Sequence, residues 1–154
     1  MKMDAASFLY EHALGPIYGW FSQKGLRQLV LPRKGKTKKY YVLHSSANDQ
    51  RVWALNGALE HYFAGIRESF DSIPLDLEDA TPFRRAVWEG ARRVRWGDTT
   101  SYGGLATLIG KPKAARAVGQ ALGANPIPII IPCHRFIAAD GSLGGFSAGL
   151  DWKR

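Results

Sequence analysis

Glycine and proline recur so closely between Thr81 and Pro132 that only short helices can form there. Thr81-Pro82 reads as an N-cap followed by a residue suited to the first helical position. Phe83, Val87 and Val94, joined by Trp88, give that helix one buried face, with an end near Trp96-Gly97. Ser101 caps a short helix running to about residue 109, Gly110 ends it, and Pro112 opens another, KAARAVGQALG, which stops at Gly123. Two short helices around a glycine-containing turn, with a helix before and an extended segment after, predict a helix-turn-helix of winged-helix type.

The preceding half has a different grain. Short aromatic and β-branched segments at 16–22, 26–31 and 39–43 predict an antiparallel meander, with Gly25 and the basic turn PRKGKTK between them. Asn48 and Asp49 are cap candidates for a helix over 50–64, whose positions Val52, Leu55, Leu59, Tyr62 and Phe63 follow helical spacing. The stretch 69–80 suits a last short strand and a linker. The expectation is a mixed α/β (α+β) protein: a small sheet-plus-helix domain over 1–76 and a winged-helix domain over 77–154.

Charge follows the same division. Of the formal +8, residues from 81 onward hold eleven Lys/Arg against four Asp/Glu, and the first eighty hold ten against nine. A basic second half fits a polyanion such as nucleic acid, or a surface kept soluble by its charge. The helix around Ala114, Ala115, Ala117 and Gly119 carries little side-chain bulk beside the long cation Arg116. Such a helix either lies close in a DNA minor groove or packs tightly on a neighbouring helix. No apolar run reaches the ~20 residues of a membrane span. With one cysteine and no cleavable leader the expected compartment is the cytoplasm, or the nucleus in a eukaryote.

That single cysteine, Cys133, follows the apolar run IPIIIP and precedes His134 and Arg135. The run predicts a strand that holds the thiol rigidly, with His134 as a base and Arg135 as a source of positive potential, both favouring a thiolate. Neighbours on a strand face opposite ways, so a Cys133–His134 contact needs a turn or a bridging water. The four histidines are too scattered for zinc, and no metal or cofactor is expected.

NPIPIIIPCHR (Asn125 to Arg135), with SYGGLA (Ser101 to Ala106), KPKAARAVGQAL and GSLGGFSAGL (Gly141 to Leu150), resembles the O6-alkylguanine-DNA alkyltransferases. The match covers about 81–154; the first half fits by length and by its sheet-then-helix order, which in that family is RNase H-like. The resemblance implies direct-reversal repair, in which a monomer bound to double-stranded DNA moves the alkyl group of O6-alkylguanine, with O4-alkylthymine as a second candidate, to Cys133. His134 would take the thiol proton through a water, and Tyr102 would hydrogen-bond the departing base. Asn125, Pro128, Phe136, Phe146 and Ser147 would form the base pocket. In that pocket the Ser147 N–H would face O6, and the carbonyls of Cys133 and Phe136 would read the exocyclic amine. Ser101, Tyr102, Ala114, Ala115, Arg116, Ala117 and Gly119 would meet DNA, Arg116 filling the gap left by the extruded nucleotide and Asn125 acting as a hinge.

Phe146 stands where many relatives have tyrosine. The family's glutamate partner for the histidine falls past Arg154, and WKR reads as the start of the helix that carries it; a histidine without that orienter implies a weaker thiolate and slow transfer. The competing expectation is a damage-binding or regulatory winged-helix protein without chemistry, against which the presence of Cys133 counts.

Overall fold

The computed structural model describes residues 5–33, 38–43 and 48–138. The chain forms two compact units, Met1–Asp76 and Leu77–Arg154.

In the first unit β1 (Phe8–His12), β2 (Gly15–Phe21) and β3 (Leu26–Val30) make an antiparallel meander in that order. Phe8 pairs with Gly19 and Tyr18 with Val30, which puts Phe8, Ile17 and Leu29 in the core. The FLYEH strand was not expected, because its polar end hides an alternation in which Phe8 points inward. Conversely, 39–43 does not extend the meander. Val42 makes an isolated parallel bridge to Ala6, whose N–H donates to Tyr41 O at 2.8 Å, and Tyr40 stands edge-on to Tyr18 and Trp20.

Helix α1 (Gln50–Phe63) is capped by the Asp49 carboxylate, which accepts from the Arg51 N–H, and the helix buries Leu55, Ala58 and Leu59. Hydrogen bonding from Arg51 holds that carboxyl below the usual range. The guanidinium also donates to Ser22 O, tying the helix start to the β2–β3 hairpin. The strand expected within 69–80 shrinks to one parallel bridge, Leu26 to Leu75. Gly25, at φ +156°, is what lets the chain pass so close, since a Cβ there would run into Pro74 O.

In the second unit Thr81 caps α2 (Pro82–Ala91) by accepting from Arg84 N–H, with Pro82 in the first turn. The helix ends well before Trp96. Its last turn tightens, Arg93 N–H donating to Gly90 O and Val94 N–H to Ala91 O, and Val94 O instead accepts from Arg135 Nη1 at 2.7 Å. Ser101 caps α3 (Tyr102–Leu108) through Gly104 N–H, and Gly110 follows at φ +76°. Helix α4 (Ala115–Gly123) starts later than expected. Lys111 to Ala114 close a turn of their own, so Pro112 precedes the helix and Ala114 occupies the cap without a side-chain bond.

The three helices pack through small residues and one polar bond. A Cβ on Gly90 would meet Leu105 and Ile109, so glycine sets the α2–α3 approach. The buried Trp88 indole N–H donates to Ala121 O at 2.8 Å, fixing α2 to the end of α4. A two-residue parallel ladder, β4 (Thr100–Ser101) on β5 (Phe136–Ile137), pairs Thr100 with Phe136 and Ser101 with Ile137.

The run IPIII is not a strand. Pro128 and Ile131 bridge across a tight turn in which Ile129 has φ +74°, a conformation unusual for a β-branched residue. Burial explains its survival: Ile127 and Ile131 are fully covered and Ile129 and Ile130 nearly so, and a strand could not place all four inward. Asn125 clips the turn, its Oδ1 accepting from Ile127 N–H at 2.9 Å and its Nδ2 donating to Ile131 O at 2.8 Å. Asn125→Ala removes both bonds from a partly buried site and should lower stability by about 1–3 kcal/mol in urea denaturation; a loss under about 0.5 kcal/mol would mean that the clip does not hold the turn.

Candidate active site and nucleic-acid interface

Cys133, His134 and Arg135 form one turn of 3-10 helix directly after the clipped loop, closed by Arg135 N–H donating to Pro132 O at 3.0 Å. The expected strand would have set Cys133 and His134 on opposite faces. A three-residue helical turn places successive side chains roughly a third of a turn apart, which removes that obstacle. Cys133 is 8% exposed and His134 partly so. A thiol this covered cannot meet a base stacked within a duplex.

The β4–β5 ladder decides what faces the thiol. Ser101 pairs beside Ile137 and caps α3, so the first residue of that helix, Tyr102, is delivered to the Cys133 turn. Burial, then the charge of Cys133, raises the Tyr102 pKa above its ordinary value. Both causes favour the neutral phenol, so its hydroxyl stays a hydrogen-bond donor throughout the neutral range. Beneath the ring lies Gly119 of α4, where a Cβ would come within 3.9 Å of Tyr102 Cγ.

Packing accounts for part of the bare helix and leaves another part open to solvent. Gly119 and the buried Ala121 serve packing, whereas Arg116 and Ala117 are exposed and Ala114 and Ala115 half-buried. Of the expected pocket residues, Asn125 is engaged in the clip, Pro128 in the turn, and the Phe136 side chain is fully buried in the core, which leaves its backbone for recognition. Phe146 and Ser147 lie outside the described residues.

Two features gave no sequence signal. The Trp88 bond to Ala121 O spans 33 positions, and the Arg135 bond to Val94 O spans 41; neither follows from local spacing. Arg135 also lies over the Trp96 ring, Cζ to centroid 5.9 Å. Among the described residues no group of three or more His, Cys, Asp or Glu side chains could hold a metal ion, and no helix is long and apolar enough to cross a membrane.

Residues 82–154 match the family model described as the DNA-binding domain of 6-O-methylguanine DNA methyltransferase. A methylated-DNA–protein-cysteine methyltransferase of Methanosarcina acetivorans is 41% identical over 145 residues, covering 94% of this chain and 91% of that one. A protein of the same name from Haemophilus influenzae is 50% identical over 97 residues, 63% of this chain and 54% of its own. The crystal structure of Mycobacterium tuberculosis OGT in complex with DNA superposes with a TM-score of 0.77 at 36% identity, covering 96% of this chain and 87% of that one. An O6-methylguanine-DNA methyltransferase from the archaeon Pyrococcus kodakaraensis gives 0.64 at 28% identity, over 95% and 94%. At this identity over nearly the whole of both chains, with the thiol, the tyrosine and the helix pair in one unit, the chain belongs to the methylated-DNA–protein-cysteine methyltransferase family.

Proposed function

We propose that the protein repairs DNA by direct reversal, moving the alkyl group of O6-alkylguanine to Sγ of Cys133. The observation that carries this is the delivery of Tyr102, a neutral hydroxyl donor, to a covered thiol by the β4–β5 ladder. The Cys133 proton leaves through His134 and a water. The thiolate pair forms the S–C bond while the C–O6 bond breaks, its pair staying with guanine, and the base regains a proton overall. Charge grows on the departing base, and Tyr102 donates to it. A thioether is not released by water, so each molecule acts once and needs no hydrolytic machinery.

The second unit is the DNA-binding alkyltransferase domain, and the first is a separate supporting domain. Because Cys133 is covered, the target nucleotide must leave the stack, at a cost of a few kcal/mol. Arg116, exposed on α4 among Ala114, Ala115 and Ala117, offsets this by filling the gap, with the helix in the minor groove. Ser101, Tyr102 and Gly119 lie along the same approach. The Phe136 backbone contributes to the pocket for the base, and Asn125 and Pro128 shape it through the clipped turn. The protein works as a monomer in the cytoplasm, where its lone thiol stays reduced.

Incubation with DNA carrying methyl-labelled O6-methylguanine should place the label on the Cys133 peptide. DNA binding without transfer, or transfer to Cys133→Ala, would defeat the proposal. Tyr102→Phe should slow transfer by roughly tenfold, about 1.4 kcal/mol of lost stabilisation, and the native rate should show no loss from tyrosine ionisation below about pH 10; an unchanged rate in the variant would remove Tyr102 from the mechanism. Arg116→Ala should weaken repair of duplex far more than reaction with the free alkylated base, since only the duplex leaves a gap to fill; equal losses would exclude the inserted arginine.

A further inference from the structure

Besides the positive potential expected of it, Arg135 has contacts that reach another part of the unit. Its Nη1 donates to Val94 O at 2.7 Å in a partly buried setting, and its guanidinium lies over the Trp96 ring. Val94 sits where α2 has unwound, and from Trp96 the chain runs through Gly97, at φ +84°, to the β4 ladder and Tyr102. The segment from Val94 to Ser101 is therefore fastened to the nucleophile turn at both ends. Arg135 holds one end, and the pairing of Thr100 and Ser101 with Phe136 and Ile137 holds the other.

A two-residue ladder by itself is a weak attachment, free to pivot about its short axis. The second anchor stops the pivot, and it arises from the same 3-10 turn that carries Cys133. We propose that Arg135 is a positioning residue for alkyl transfer: by holding Val94 and Trp96 against the nucleophile turn, it sets the spacing between the Tyr102 hydroxyl and the Cys133 thiol. Its planar fork can bond a carbonyl and cover an indole together, which a lysine ammonium on a flexible stem does not reproduce. The inference rests on the proposed transfer to Cys133 with Tyr102 as donor.

The test is single-turnover transfer from saturating O6-methylguanine duplex to the full chain, alone and in a double-mutant cycle with Tyr102→Phe. Arg135→Met should slow the transfer step about tenfold, with the Kd for DNA changed by less than about twofold, and Arg135→Lys should recover less than about a third of the native rate. In the Tyr102→Phe background Arg135→Met should cost no more than about twofold, because the contact it positions is already gone. Native transfer by Arg135→Lys would show that charge alone matters and would overturn the proposal. So would a loss confined to DNA affinity, or a full tenfold cost persisting without the Tyr102 hydroxyl. Where Arg135→Met does not fold, the lysine variant alone and in the cycle carries the same test. Failure of the underlying reading looks different: Cys133 takes no label, or Tyr102→Phe alone leaves the native rate intact.

Discussion

The site depends on a short piece of parallel ladder, Thr100 and Ser101 against Phe136 and Ile137. On one side of it stands the 3-10 turn with Cys133, and on the other the cap and first residue of α3. A parallel pair cannot be made by a hairpin; here α3, α4 and the clipped turn form the crossover between its strands. The helix-turn-helix is thus both the expected DNA-facing element and the connection that brings nucleophile and hydroxyl together.

Covering the thiol follows from the same construction. The four isoleucines between Ile127 and Ile131 enter the core as a turn, stabilised by burial and by both ends of the Asn125 amide, at the expense of a left-handed Ile129. Non-glycine residues in that conformation cost on the order of 1–3 kcal/mol, less than the burial of several large aliphatic side chains contributes. The result is a rigid, nearly closed mount. A rigid mount suits a displacement in which sulfur, carbon and O6 must lie in line. Small residues do matching work: Gly90 and Gly119 let α3 approach α2 and α4, and Trp88 bonds α2 to α4.

Much of this was legible in the sequence where the signal is local. The caps Asp49, Thr81 and Ser101, the span of α1 and the order of the short helices follow from short-range chemistry and appear where expected. The strand assigned to IPIII failed for a physical reason: a wholly apolar run states that it is buried and not how, and Asn125 six residues before Ile131 decides for a turn. The early end of α2 was invisible because Val94 looks like a helix-face residue until Arg135, far along the chain, claims its carbonyl. Cys133, Tyr102 and the bare helix could be named from motif order, whereas their proximity comes from strand pairing that no periodicity encodes.

Acting as a sacrificial acceptor, and not as a turnover nucleophile, is the property of Cys133 on which the proposed repair turns. It is tested most directly by titrating a fixed amount of protein with excess O6-methylguanine duplex and following both restored guanine and intact protein mass to completion. A sacrificial thiol gives a plateau at one guanine restored per protein, with every reacted molecule heavier by one methyl group in place of one hydrogen. Restoration continuing past one equivalent, or a plateau reached by protein whose mass has not changed, would contradict it.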